Sequence, residues 1–165
     1  TGARAGQEAA RQAFRYKGSL PSFPVQTEWE DWIEGLLSRP REGVGMVRGR
    51  LKKSLQDCMW KHAGVIRTGA NLKKGLKVLK GLQTDMEKEM ALSLGPRAYH
   101  MELQDAIETR LMFSIARSIL IAADRREETR GAQMRDDFPE QKEGWRANLI
   151  LTKAKDEIVC EKRGR

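Results

Sequence analysis

Cysteine is scarce in this chain, aromatic residues are few, and long apolar runs are missing. Its 165 residues hold two cysteines, Cys58 and Cys160. That is too few for a disulfide framework and fits a reduced, cytosolic setting. Aromatics make up only 6%, so no stacking platform for single-stranded nucleic acid is expected. No apolar run reaches the ~20 residues of a membrane-spanning helix. The best candidate, Leu111 to Ala123, is interrupted by Arg117. No secretory leader is visible. The chain opens on Thr1-Gly2-Ala3-Arg4 rather than Met, which reads as a cut inside a longer protein. A glycine-rich phosphate loop, a catalytic triad, a CxxC pair and an HExxH motif are all missing, and Gly43-Val44-Gly45 is too short to stand for one. The sequence therefore predicts no catalytic residue and no metal site of its own.

Charge is plentiful by contrast. Thirty-one basic residues against 23 acidic ones give a net charge of +8. The two signs are interleaved, with no block of five like charges, so a solvated basic surface or a docking face for an acidic neighbour is favoured over nucleic-acid binding. Cys58 and His62 are spaced i, i+4 and share a helix face. Two ligands alone make a poor metal site, so the expected arrangement is a core thiol beside a partly exposed histidine.

The periodicity is mainly that of helices. Residues Gly2 to Tyr16 crowd Ala5, Ala9, Ala13 and Phe14 onto a small-residue face. Lys17 to Pro24, with Gly18, Pro21 and Pro24, reads as a linker. A short helix follows over Glu28 to Ser38, with Thr27 and Glu30 spaced as a capping box and Pro40 stopping it. Three longer helices come next. Gly43 to Ala63 carries Leu51, Leu55 and Cys58, with Gly64 ending it as a C-terminal cap. A second helix starts at the N-cap Thr68, carries Leu72, Leu79 and Met86, and is stopped by Gly95-Pro96. The third, Met101 to Ala123, opens on acids and is apolar almost all round in its second half, with Ile119 placed in the buried part. After Pro139 the pattern alternates: Trp145 to Thr152 reads as a strand, Lys153 to Asp156 as a turn, and Ile158 to Cys160 as the returning strand. A lone hairpin is marginal in water, so this one needs the bundle or another sheet to pack on.

The fold expected is mainly α: an antiparallel three-helix bundle, spectrin-repeat-like, with flanking N-terminal helices and a C-terminal β-hairpin. Between bundle and hairpin lies a charged stretch, Asp124 to Pro139. Arg130 and Arg135 flank Gly131 there and could clamp a carboxylate or phosphate. Glu127, Glu128, Asp136 and Asp137 stand so close that internal ion pairing is the favoured reading.

The stretch Arg126-Glu127-Glu128-Thr129-Arg130-Gly131-Ala132-Gln133-Met134-Arg135-Asp136-Asp137-Phe138-Pro139 resembles the Glu-Ser-Arg-Gly-Ala-His-x-Arg-x-Asp-x-Pro signature of succinate dehydrogenase and fumarate reductase flavoprotein subunits. Met59, Gly64-Val65-Ile66-Arg67 and Leu72 resemble that family's Met…Gly-Val-x-Arg…Leu segment. Gly2 to Ala10 is similar to the last helix of its FAD-binding domain, and Trp145 to Val159 to its tail hairpin. Two departures stand out: Gln133 replaces the usual His, and Thr129 replaces Ser. The wider family includes L-aspartate oxidase and adenylylsulfate reductase, so Gln133 leaves the substrate open.

The resemblance implies a division into residues 1–16, the last helix of a truncated FAD-binding domain; 17–42, a linker with a short helix; 43–124, the bundle; and 125–165, the signature segment and tail hairpin. It implies a parent FAD-dependent oxidoreductase that transfers hydride between flavin and a dicarboxylate, with Gly2 and Ala3 nearest the flavin. The signature or interface residues it marks are Arg130, Gly131, Ala132, Gln133, Arg135 and Asp137. Its partners would be the upstream FAD-binding and capping domains and an iron–sulfur subunit, with no nucleic acid and with membrane contact only through a complex. The implied location is the cytoplasm, or the cytoplasmic face of a membrane. The fragment alone is expected to lack FAD and activity, and its uncovered first helix could pair two copies. The competing class is a stand-alone basic helical adaptor for protein or nucleic acid.

Overall fold

The computed structural model describes residues 2–16, 27–38, 45–93, 99–154 and 157–164. The expected linker at 17–24, Pro40, Gly43-Val44, the Gly95-Pro96 stop and the tip of the last turn lie outside the described residues, as does the side chain of Thr27. Two compact units are present, Thr1–Asp31 and Trp32–Arg165.

The first unit holds α1 (Gly2–Arg15), none of whose residues is buried. Alanine and glycine occupy about half of its circumference, and Arg4, Gln7, Glu8, Arg11, Gln12 and Arg15, with Phe14, the rest. Glu8 pairs with Arg11 at 3.1 Å across one turn. Helix α2 (Thr27–Leu37) begins in this unit and ends in the second.

The second unit is built on α3 (Gly45–Ala63), α4 (Gly69–Glu89) and α5 (Met101–Arg125). Their apolar residues recur every three or four positions and meet in one core, with Leu51 and Leu55 from α3, Leu72, Leu79 and Met86 from α4, and Phe113 and Leu120 from α5. Leu36 of α2 joins this core, and the Arg110 guanidinium stacks 4.5 Å from the Trp32 ring centroid. Thr68 caps α4 as expected, its hydroxyl accepting from the Asn71 amide at 3.2 Å. Gly75 marks the closest approach: a Cβ there would stand 2.7 Å from His62 Cβ and 3.0 Å from Leu120 Cδ2. Polar staples hold the α3–α5 edge. Buried Arg48 meets Glu102 at 2.8 Å and donates to the Ala91 carbonyl at 3.0 Å, while Lys52 pairs with Asp105.

Several expectations need correction. Ile119 is 42% exposed, whereas Leu120 beside it is fully buried, so the core-facing stripe of α5 is rotated by one residue. Gly64 follows the end of α3 as expected, without the positive φ that Gly131 takes. What excludes a side chain at Gly64 is the Trp60 carbonyl, 2.7 Å from the position of its Cβ. His62 is buried rather than partly exposed; its Nδ1 lies 2.7 Å from Asn71 Oδ1, and Cys58 Sγ faces the Gly75 carbonyl at 3.8 Å. Trp145 closes a short 3-10 turn, Glu143–Trp145, instead of opening a strand.

Among the described residues, four strands complete the unit. Short β1 (Ile66–Arg67) and β2 (Met134–Arg135) pair in parallel, Ile66 with Met134 and Arg67 with Arg135. The hairpin of β3 (Ala147–Ala154) and β4 (Glu157–Gly164) is antiparallel, with Leu151 opposite Cys160. It packs on the C-terminal part of the unit, where Arg126 donates to the Trp145 and Ala147 carbonyls at 3.0 and 2.8 Å. No helix among the described residues is long and apolar enough to cross a membrane.

Candidate functional site

The signature segment starts where α5 ends. The last carbonyls of a helix have no partner within it and need donors from elsewhere. Arg135, 2% exposed, supplies them: its Nη1 donates to the carbonyls of Ala123, Asp124 and Arg126 at 2.7, 3.1 and 3.0 Å. Its other edge makes a two-pronged pair with Asp137, at 2.7 Å from Nε and 2.9 Å from Nη2. Asp137 in turn accepts from the Gly69 amide at 2.8 Å, at the start of α4. A carboxylate at a helix N-terminus and a guanidinium at a helix C-terminus both complement the macrodipoles. One ion pair therefore ties the end of α5 to the beginning of α4. Hydrogen bonding to Arg135 holds the Asp137 carboxyl far below the usual carboxylate range, and the same contact raises the Arg135 pKa. A side chain at Gly69 would enter this knot, within 3.1 Å of Arg135 Nη2.

A second knot centres on Glu128, which is fully buried. It accepts from Arg126 Nη1 at 2.6 Å, from Arg130 Nε and Nη2 at 2.8 and 3.0 Å, and from the Lys142 amide at 3.0 Å. These hydrogen bonds, that of Arg130 foremost, lower its pKa to about 2. The knot ties the segment to the lead-in of the hairpin, where Lys142 also faces the Phe138 ring.

Gly131 and Ala132 form the turn between the knots. Arg130 and Gln133 exchange backbone hydrogen bonds at 2.9 and 3.1 Å, and Gly131 takes φ +59°, a conformation that glycine adopts without a steric penalty. Gln133 then bridges two elements: its amide nitrogen donates to the Ala123 carbonyl at 3.1 Å, and its oxygen accepts from Arg67 of β1. An amide offers one donor and one acceptor that do not titrate, whereas an imidazole in this place would lose its acceptor on protonation. Thr129 keeps the hydroxyl that Ser would supply, accepting from the Arg135 amide at 2.9 Å and lying 3.0 Å from the Phe138 carbonyl.

Arg130, Gly131, Ala132, Gln133, Arg135 and Asp137 thus come together, while Gly2 and Ala3 lie in α1 of the other unit. Arg130 and Arg135 are turned onto Glu128, Asp137 and main-chain carbonyls, which is the ion-pairing alternative rather than an anion clamp. Arg126, Arg130, Gln133, Trp145, Arg146, Ala147 and Asn148 line an open recess of about 310 Å³ beside them. No group of three metal-ligating side chains occurs among the described residues. Three partners were not singled out beforehand as site residues: Glu128 as a centre, Arg67 and Gly69. The spacing of Gly69 behind the cap Thr68 is the one sequence signal that could have pointed to it.

Residues 52–163, which hold most of the bundle, both knots and most of the hairpin, match the fumarate reductase flavoprotein C-term family. The chain belongs to this family. A fumarate reductase flavoprotein subunit of Mycobacterium tuberculosis is 32% identical over 143 residues, 84% of this chain and 24% of that protein. An uncharacterised FAD-dependent oxidoreductase of Methanocaldococcus jannaschii is 31% identical over 115 residues, 67% of this chain and 20% of that protein. In structure, the FrdA chain of E. coli quinol fumarate reductase superposes with a TM-score of 0.78 at 18% identity, covering 96% of this chain and 27% of that one. That likeness carries the fold alone. Adenylylsulfate reductase of Archaeoglobus fulgidus has a TM-score of 0.63 at 25% identity, covering 72% of this chain and 19% of its own. The chain spans about a fifth to a quarter of the length of these proteins. The three-helix bundle with a trailing hairpin is the C-terminal helical domain of that family.

Proposed function

We propose that this chain serves as the C-terminal helical domain of an FAD-dependent oxidoreductase of the succinate dehydrogenase and fumarate reductase type. In the parent, flavin would exchange hydride with a dicarboxylate such as succinate or fumarate, and the flavin would supply that chemistry. The domain described here would brace the flavin-binding part and offer a face to partner subunits, an iron–sulfur protein among them. Its association with a membrane would run through such a complex.

The observation that carries this reading is the match of residues 52–163 to the flavoprotein family's C-terminal domain. The chemistry of the signature segment agrees with a bracing role. Glu128 and Asp137 are committed to arginines and to main-chain amides, so neither is placed as a free general acid or base. By resemblance, Gly2 and Ala3 at the start of α1 would lie nearest the flavin, and residues 1–16 would be the end of the flavin-binding domain.

Expression of the chain together with the sequence encoded upstream of it tests the reading. The longer protein should show a bound-flavin absorbance band near one per chain and dye-linked oxidation of succinate or reduction of fumarate. The 165-residue chain, incubated with FAD and then freed of unbound flavin, should be colourless. A start codon adjoining Thr1, or flavin bound stoichiometrically by the short chain, would overturn the assignment.

A further inference from the structure

Helix α4 carries a run of positive charge that the rest of the domain leaves unanswered. Lys73, Lys74, Lys77 and Lys80 are all exposed, and the stretch 69–80 that holds them has no acidic residue. At 3.6 residues per turn, Lys73, Lys77 and Lys80 fall within about 60° of one another around the helix, with Lys74 on the flank. The stripe runs for about 10 Å along the axis. On α3, by contrast, Arg48, Arg50, Lys52 and Lys53 each meet a carboxylate. None of the four α4 ammonium groups forms an ion pair among the described residues.

Within the domain this pattern only costs stability. Lys73 stands four residues from Lys77, and Lys74 and Lys80 stand three from it, spacings at which like charges repel on a helix surface. The acids of α4, Asp85, Glu87 and Glu89, gather towards its C-terminus, where the macrodipole disfavours them.

Charge complementarity indicates what the stripe fits. The apolar face of α4 is already buried in the core through Leu72, Leu79 and Met86, so none is left to enter a lipid interface. The helix has no aromatic ring and no arginine, the groups that stack on bases and grip phosphates. Carboxylates remain, and lysines answer them as point charges. Ala70 and Gly81 lie on the same face between Lys74 and Lys77, and nothing stands within 4 Å of a Cβ built on Gly81. A partner's backbone can therefore approach closely there.

We infer that this face of α4 binds an acidic segment of a separate polypeptide, a helix with carboxylates three or four residues apart along one side. A segment of the same chain is held at high local concentration and needs no steering. A partner that diffuses in gains encounter rate from unpaired surface charge. The inference rests on the docking role proposed above and adds the chemistry of the partner.

Two synthetic helical peptides of equal length and charge serve as probes. One carries its glutamates on a single face, at i, i+4 and i+7, and the other spreads them around the helix. Binding to the 165-residue chain is followed by fluorescence anisotropy at rising salt. The single-face peptide should bind about tenfold more tightly than the other, and salt should weaken it. Lys73→Gln, Lys77→Gln and Lys80→Gln together should reduce its affinity about tenfold. That variant's melting temperature should hold or rise, because repulsion is relieved. Lys53→Gln, Lys61→Gln and Arg163→Gln together remove the same charge elsewhere and should cost less than about twofold. Equal losses in the two variants, or no preference between the peptides, would mean attraction to net charge alone and would sink the inference. A melting temperature lowered in the stripe variant would sink it too, since the lysines would then serve the fold. Tighter binding of phosphatidylserine vesicles or of a single-stranded oligonucleotide through the same lysines would replace the acidic polypeptide with another polyanion. Flavin takes no part in these measurements: their failure removes the docking surface alone, whereas a flavin-free parent removes the proposed function.

Discussion

Glu128 shows what one residue does in this fold. It sits fully buried between two guanidiniums, and its carboxylate is stabilised by four hydrogen bonds. Replacing it with Gln keeps the shape and removes the charge, leaving Arg126 and Arg130 uncompensated. Glu128→Gln should lower stability at pH 7 by about 3 kcal/mol, in the range for breaking a buried pair. The pH dependence follows from the lowered pKa. In the unfolded chain the carboxyl takes up its proton near the ordinary glutamate value, while in the folded chain it stays charged down to about 2. Its contribution is therefore complete above roughly pH 4.5 and is lost as pH falls towards 2. Urea titrations from pH 7 to pH 2.5 should show the gap between wild type and variant narrowing on the acid side. A gap that stays constant to pH 2.5 would mean that the carboxylate is not held in this way. Glu102, with a pKa also lowered to about 2 by Ser93 and Arg48, adds a parallel acid-sensitive contribution in both proteins.

Among the elements, α4 carries the clearest contrast. It holds three glycines, Gly69, Gly75 and Gly81, in a single helix. Gly75 lies where α3, α4 and α5 converge, and nothing comes within 4 Å of a Cβ built on Gly81. The same substitution should then act in opposite directions. Gly81→Ala should stabilise by about 0.5–1 kcal/mol through helix propensity. Gly75→Ala drives a methyl into His62 and Leu120 and should cost about 1–3 kcal/mol net, as overpacking does. For a chain of this size each kcal/mol moves the melting temperature by about 2–4 °C, so calorimetry separates the two variants easily. Shifts of the same sign in both would mean that α3 and α4 do not approach at Gly75. Helix α5 teaches the same lesson from its surface. Its second half is apolar on most sides, yet in the second unit Leu111, Ile115 and Ile119 remain exposed at 45, 59 and 42%.

For the whole molecule, stability should be uneven. Helices α3, α4 and α5 share one core, whereas α1 has no buried residue. Isolated helices of this length are marginal in water. Amides of Leu51–Ala63, Leu72–Met86 and Phe113–Ala123 should resist hydrogen exchange to near the global unfolding free energy. Those of Ala3–Arg15 should exchange at least a hundredfold faster at low protein concentration. Protection of α1 equal to that of the bundle would show that it belongs to the same cooperative unit. If protection of α1 instead grows with concentration, its alanine face pairs between copies.

The sequence by itself determined the helices, the cap at Thr68, the hairpin and the family to which the chain belongs. Each of these is written in local periodicity, in a capping residue or in a short run of motif residues. Even the internal pairing of Arg130 and Arg135 was legible, because acids lie within two residues of each. Tertiary structure decided the rest. Which of two adjacent residues, Ile119 or Leu120, faces the core depends on how α5 is rotated against α3 and α4, and a stripe apolar on several sides does not specify that rotation. That Asp137 reaches the Gly69 amide, 68 positions away, and that Gln133 reaches Arg67, depends on the parallel pairing of two-residue strands too short to leave any alternation in the sequence. Likewise Ile66 and Met134 face outward because their neighbours are drawn inward, Arg67 by the Gln133 amide and Arg135 by Asp137 and the last carbonyls of α5.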